Sequence, residues 1–279
     1  MVVHNVITRM MRRTTPEHRG PQGRTINVLC CSGLDPTGGA GIQADIEAVA
    51  AQGAHALAII TALTAQDTRN VATVVATDTA LLQQQLELLL ADCEVAAIKL
   101  GLLGDVSQLP LLAACIQRLG KPVVIDPILR AGGGRDLVSQ TFATAFGQVL
   151  FPLCTVLTPN AAEARRWTGH SALDEAGAAL LAMGPQHVVI TGGDEPGRVV
   201  SNRWYHGQSV RVFERERIEG QFHGAGCTLA ATIAARLALG EAVEQALLNA
   251  QEYVAESLRQ AKAVGRGRLV PHRAEFGAV

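Results

Sequence analysis

The residues best suited to chemistry gather in a few short stretches. One is His223-Gly224-Ala225-Gly226-Cys227-Thr228-Leu229, followed by an Ala-, Ile- and Leu-rich run with no further Gly or Pro until Gly240. That pattern predicts a glycine turn feeding the N-terminus of a buried helix. Such a turn leaves backbone N–H groups unpaired at the positive end of the helix dipole. Gly224 and Gly226 carry no side chain to block an approaching anion, so Gly224, Ala225 and Gly226 form a candidate phosphate seat. Cys227 would sit in a field that favours a thiolate. The same residues also suit a tight turn packing a helix, with Cys227 as a small buried apolar residue.

Asp126-Pro127 and Thr158-Pro159-Asn160-Ala161-Ala162-Glu163 offer oxygen ligands. Magnesium takes a few carboxylates together with waters and substrate phosphates, so Asp126, Asn160 and Glu163 form a candidate metal set. Asn160 and Glu163 equally fit a helix N-cap and its capping box. Gly39 to Ala44 contains G-x-G-x-x-A, but Ser32 to Gly38 separate it from the preceding apolar strand. A dinucleotide fingerprint opens directly after its strand and carries an acid about 20 residues on, which disfavours a Rossmann oxidoreductase. A helix cap with Gly-Gly packing is the plainer reading of this loop. No G-x-x-x-x-G-K-[ST] is present, which excludes a P-loop.

These stretches need elements to hold them. Strands are expected at 26–31, 54–63, 71–76, 95–100, 123–125, 155–157 and 187–191, with a hairpin at 199–213. Helices are expected at 40–51, 81–90, 106–119, 141–150, 160–167, 171–183, 226–239 and 241–263. Apolar strands alternating with helices imply an α/β fold with a mainly parallel sheet covered on both faces, in three α/β/α layers. In such sheets ligands bind beyond the carboxyl ends of the strands. Gly33, Gln66, Gly101, Asp126, Asn160 and Gly192-Gly193 each follow a strand, so the special residues converge on one end.

Bulk properties narrow the partners. Basic and acidic residues number 24 and 25, for a net charge of −1, and aromatics are 4% of the 279 residues. No basic stripe or stacking platform argues for nucleic acid. No apolar run reaches the roughly 18 residues of a membrane span. Six cysteines without C-x-x-C spacing point to reduced thiols and a cytoplasmic protein. Residues 1–24 hold five Arg against one acid and read as a disordered leader. Residues 25–279 read as a single domain.

Taken together, the stretches Gly33 to Asp45, Ile60 to Thr68, Lys99 to Leu103, Thr158-Pro159-Asn160 with Glu163, and His223 to Leu229 resemble the hydroxymethylpyrimidine/phosphomethylpyrimidine kinases of thiamine biosynthesis, within the ribokinase-like superfamily. The resemblance runs from about Asn27 to Pro271. It implies a ribokinase-like kinase that uses ATP and Mg2+ to phosphorylate 4-amino-5-hydroxymethyl-2-methylpyrimidine, then its monophosphate to the diphosphate. It further implies that Gly33, Asp45 and Gln66 hold the pyrimidine and that Leu102 and Ile128 wall the pocket. On the same grounds Gly224 to Gly226 form the anion hole, and Asp126, Asn160 and Glu163 organise magnesium and phosphates. Cys227 stands where ribokinase-like sugar kinases carry a catalytic Asp. Thr191, Gly192 and Gly193 match the nucleotide side, although family members often have Lys-Gly-Gly-His where this chain has Thr191-Gly192-Gly193-Asp194. Arg130 and Arg135 are candidates for the missing positive charge. The missing Lys also leaves room for a catalytically idle ligand-binding protein. A pyridoxal kinase is the enzyme alternative; the polar edges of Gln66 and Asp45 favour the aminopyrimidine. A homodimer with small-molecule substrates is expected.

Overall fold

The computed structural model describes residues 25–129 and 139–274. The Arg-rich stretch 1–24 and the segment with Arg130 and Arg135 lie outside the described residues. Short apolar runs form the strands β1 (Asn27–Leu34), β2 (His55–Gln66), β3 (Val71–Ala76), β4 (Ala97–Leu100), β5 (Val123–Ile125), β6 (Val156–Leu157), β7 (His187–Ile190), β8 (Val199–His206) and β9 (Ser209–Glu216). They make one nine-stranded sheet in the order β3-β2-β1-β4-β5-β6-β7-β8-β9. The strands from β2 to β7 in that order run parallel. β3 lies antiparallel at one edge and the β8–β9 hairpin at the other.

Helices cover both faces. α1 (Gly41–Ala51), α7 (Ala225–Ala238) and α8 (Val243–Arg259) pack on one face, around Val28, Cys30, Val124 and Val189. α2 (Thr79–Asp92), α3 (Gln108–Leu119), α4 (Gln140–Leu150), α5 (Ala161–Thr168) and α6 (Leu173–Ala182) pack on the other, around Leu29, Leu100, Phe146 and Phe151. Every residue of β4 is buried, as a central strand covered on both faces requires. α7 is buried continuously from Cys227 to Ala235, and its alanines let the helix lie close on the sheet. The three-layer α/β/α expectation matches the structure.

Several boundaries differ from the expected ones: β1 runs past Cys31 to Leu34 and β9 past Phe213 to Glu216. β2 runs on past Leu63 to Gln66, because beyond Ala62 it pairs with β3. That ribbon leaves Leu63 half exposed and carries Thr64 and Gln66 out beyond the parallel strands. α8 ends at Arg259, and Lys262 turns back to bridge Val270. The chain order of the sheet reverses between β1 and β4, since β1 leads to β2 on one side and β4 lies on the other. Ligands of open α/β sheets bind at such a switch point. Among the described residues no helix is long and apolar enough to cross a membrane.

Candidate active site

A cavity of about 690 Å³ opens over the carboxyl ends of the parallel strands. Gly33 at the end of β1, Gln66 at the end of β2, Leu102 after β4 and Ile128 after β5 all line it. A Cβ on Gly33 would lie 3.0 Å from Leu102 Cδ2, so a side chain there would press on that wall. Gln66 Nε2 donates to Thr64 Oγ1 at 2.7 Å, which orients the amide.

The Gly224–Gly226 turn forms another wall. Gly224 is the N-cap of α7 with φ +91°, and no side chain caps the helix. A Cβ on Gly224 would fall on the Gly39 carbonyl, so both the backbone angle and the close approach demand glycine. The turn thus leaves uncapped N–H groups at a helix N-terminus facing the cavity, a geometry able to receive an anion. The 35–40 loop is fastened beside it. Asp35 accepts from Thr37 N at 2.9 Å and Ala40 N at 2.8 Å. Its Oδ2 lies 2.8 Å from His223 Nε2. Burial pushes the Asp35 carboxyl up, but the hydrogen bonds from His223 and Thr37 outweigh it and hold the group below its usual range.

The carboxylates behave differently. Burial pushes Asp126 up to about 6, against the nearby Lys99 and a hydrogen bond donated by the Cys227 thiol. Glu163 is pushed up to about 8 by burial and then by Asp126. Asn160 and Glu163 form the full capping box of α5: Asn160 Oδ1 accepts from Glu163 N at 2.8 Å, and Glu163 Oε2 accepts from Asn160 N at 3.0 Å. Both readings of this pair therefore share one geometry, because Glu163 and Asn160 also line the cavity. Among the described residues no group of three or more His, Cys, Asp or Glu makes a closed metal cage.

Three expected roles need correction. Cys227 is not a thiolate: burial and then the Asp126 carboxylate push its thiol up to about 12, although Lys99 and the Gly41 N–H pull the other way. Desolvation in the packed α7 interior outweighs the helix dipole. Asp45 does not line the cavity. Its side chain is fully enclosed, with Lys99 Nζ at 2.8 Å and Ser32 Oγ at 2.5 Å. A buried carboxylate needs such partners: Oδ2 takes the hydrogen bonds from Ser32 and Lys99, and Oδ1 has the Lys99 charge beside it but no hydrogen bond, so the group is held beneath the floor. Gly192 is buried behind Thr191 and Gly193, and its N–H donates to Asn202 Oδ1 at 3.0 Å.

Around Thr191-Gly192-Gly193-Asp194 the structure shows how the local charges are placed. Asp194 accepts from Ala161 N at 3.2 Å and from Ala162 N at 2.8 Å, so it occupies the N-terminus of α5. Arg217, which lines the cavity, donates to the carbonyls of Gly193 at 2.8 Å and Gly197 at 2.6 Å, and to that of Glu195. Arg217 lies 25 residues beyond Gly192 (217 − 192) at the end of β9, so no local motif announces it. Lys99 stands in the Lys99 to Leu103 stretch, but the complete burial of a lysine leaves no mark in a short motif.

Comparison with known proteins agrees with this geometry. The sequence pattern of the phosphomethylpyrimidine kinase family matches residues 35–272. The hydroxymethylpyrimidine/phosphomethylpyrimidine kinase of Synechococcus elongatus is 37% identical over 247 residues, 86% of this chain and 94% of that one. The thiamine biosynthesis bifunctional protein ThiED of Geobacter sulfurreducens is 33% identical over 94% of this chain, which spans about half (54%) of its length. Among solved structures, the ADP complex of Bacillus subtilis pyridoxal kinase superposes with TM-score 0.83 at 32% identity, covering 90% of this chain and 98% of that one. The phosphomethylpyrimidine kinase of Clostridium difficile gives TM-score 0.73 at 27% identity, covering 84% and 100%. With its ribokinase-like sheet, its glycine seat on α7 and this pattern of relatives, the chain belongs to the phosphomethylpyrimidine kinase family.

Proposed function

We propose that this protein transfers the γ-phosphoryl group of ATP to 4-amino-5-hydroxymethyl-2-methylpyrimidine, and then to the resulting monophosphate. The observation that carries the reading is that the uncapped Gly224–Gly226 turn and the Gly33, Gln66 and Leu102 pocket open into one cavity. A phosphoryl acceptor and a phosphate seat thus face each other. Gln66 presents an amide to the heterocycle edge, and Leu102 and Ile128 enclose its ring. The seat's N–H groups hold charge that develops on the transferring phosphoryl oxygens. The bond from the γ-phosphorus to the bridging oxygen breaks, and one to the hydroxymethyl oxygen forms. The hydroxyl proton passes to the Cys227–Asp126 pair, whose ionised member at neutral pH is Asp126. Lys99, beneath the floor, favours that charge.

Two buried carboxylates, both raised by burial and Glu163 further by Asp126, fit a divalent cation. Asp126, with Asn160 and Glu163 behind it, would hold magnesium together with waters and phosphate oxygens, and the ion would neutralise phosphate charge. Thr191, together with Gly193 fastened by Arg217, would face the nucleotide. A single kinase domain acting as a cytoplasmic homodimer completes the proposal; all six cysteines are free thiols, which supports a reducing compartment.

Pyridoxal is the second candidate acceptor, supported by the likeness to the Bacillus subtilis pyridoxal kinase. A coupled ADP assay comparing the pyrimidine alcohol, its monophosphate and pyridoxal decides between them. The expected order is both pyrimidines well above pyridoxal. A preference for pyridoxal would reverse the assignment, and no ADP from any of them would reject it.

A further inference from the structure

The loops around the acceptor end come from distant parts of the chain, and the segment after α8 ties them together. Gly267 N donates to Thr68 Oγ1 at 2.9 Å, and Arg268 N donates to the Thr68 carbonyl at 3.0 Å. Leu269 accepts from His223 N and donates to the Gln221 carbonyl, both at 2.8 Å. The segment then delivers Arg273, whose side chain is fully buried.

Every arm of that guanidinium is used. Nε donates to Thr228 Oγ1 at 2.8 Å. Nη1 donates to the Gly38 carbonyl at 3.2 Å and to Glu47 Oε2 at 3.1 Å. Nη2 donates to the Gly39 carbonyl. Thr228 Oγ1 in turn donates to the Gly224 carbonyl at 2.7 Å. Arg273 therefore joins the Gly38–Gly39 loop to the N-cap of α7 from behind, and its one anionic partner, Glu47, is half exposed. Four directions of hydrogen bonding from one rigid plane suit Arg and not the compact ammonium of Lys.

We propose that Arg273 is a positioning residue for phosphoryl transfer, which holds the Gly39 carbonyl against Gly224 and so aims the Gly224–Gly226 N–H groups at the transferring group. This inference rests on the kinase reading above. Preorganised donors lose their effect when displaced, and a shift of about 1 Å can cost about 10²-fold in rate.

The test compares Arg273→Ala and Arg273→Lys by ADP-coupled turnover, by calorimetric binding of the pyrimidine alcohol without nucleotide, and by thermal melting. The expected result is a loss of about 10²-fold in kcat for Arg273→Ala, with pyrimidine affinity kept. Millimolar guanidinium should restore part of that turnover in Arg273→Ala and none in Arg273→Lys, where the lysine fills the space. Near-normal kcat in Arg273→Ala would overturn the proposal. A kcat loss that only tracks lost pyrimidine binding and lost folding in both variants would also overturn it, since Arg273 would then be a structural prop. If the wild-type protein forms no ADP, the kinase reading falls and this inference with it; an active wild type with active variants removes this inference alone.

Discussion

Lys99 Nζ lies within 2.9 Å of both carboxylate oxygens of Asp45, and neither side chain has any exposed surface. The pair joins β4 to α1 directly under the cavity floor, with Ser32 Oγ accepting from Lys99 at 2.9 Å. Removing one partner leaves a buried charge without compensation. Asp45→Asn should therefore cost about 3–5 kcal/mol of stability. Urea denaturation of the two proteins checks this. An Asp45→Asn protein as stable as wild type, with pyrimidine binding lost, would instead restore Asp45 as a direct substrate ligand.

Gln66→Ala should weaken binding of the pyrimidine alcohol by about 1–3 kcal/mol, the cost of stranding polar edges in a closed pocket. ADP affinity should stay unchanged, because Gln66 belongs to the acceptor end. Titration calorimetry with each ligand separately distinguishes the two effects. Unchanged pyrimidine affinity would place the heterocycle elsewhere in the cavity.

Asp126→Asn should lower kcat by about 10²- to 10⁴-fold, the range of general-base contributions. Cys227→Ser, which keeps a neutral donor to Asp126, should lower it by about tenfold or less. With the Cys227 thiol pushed up to about 12, iodoacetamide at neutral pH should modify the partly exposed Cys93 before Cys227. Rapid alkylation of Cys227 would show that the helix dipole prevails after all and that the thiolate is the base.

Glu163 gives a pH signature. Its carboxyl is raised from 4.5 to about 8 in the folded protein, so the folded state holds the proton more tightly than the unfolded chain. Its contribution to stability is therefore fully present below pH 4.5 and is lost as pH rises towards about 8. Glu163→Gln, which keeps the capping geometry, should flatten the melting temperature across that window. Parallel pH profiles of the two proteins would contradict the raised carboxyl. Magnesium titrations of activity add the second readout: a raised magnesium requirement in Glu163→Gln assigns the residue to the ion's surroundings, and an unshifted curve leaves it as a cap alone.

Much of the architecture was legible from local pattern. Short apolar runs alternating with helices implied the covered parallel sheet, because a strand buried on both faces must be apolar throughout. Glycines and polar residues placed after those runs implied a site at the strand ends. The Gly224–Gly226 turn was recognisable because its chemistry depends on adjacent backbone groups. The protonation of Cys227 was not: it depends on burial and on Asp126 and Lys99, which lie more than 100 residues earlier in the chain (227 − 126 = 101). Asp45 looked like a ligand because a motif shows which residue is present and not which way it faces. Arg217 and Arg273 had no motif at all, since each acts through carbonyls and hydroxyls that only the folded chain brings near. The sequence by itself determined the layer order, the glycine turn at the head of α7 and the family. Tertiary structure decided which carboxylates line the cavity, which are paired beneath it, and where each proton resides, because desolvation and charge pairing act through space and not along the chain.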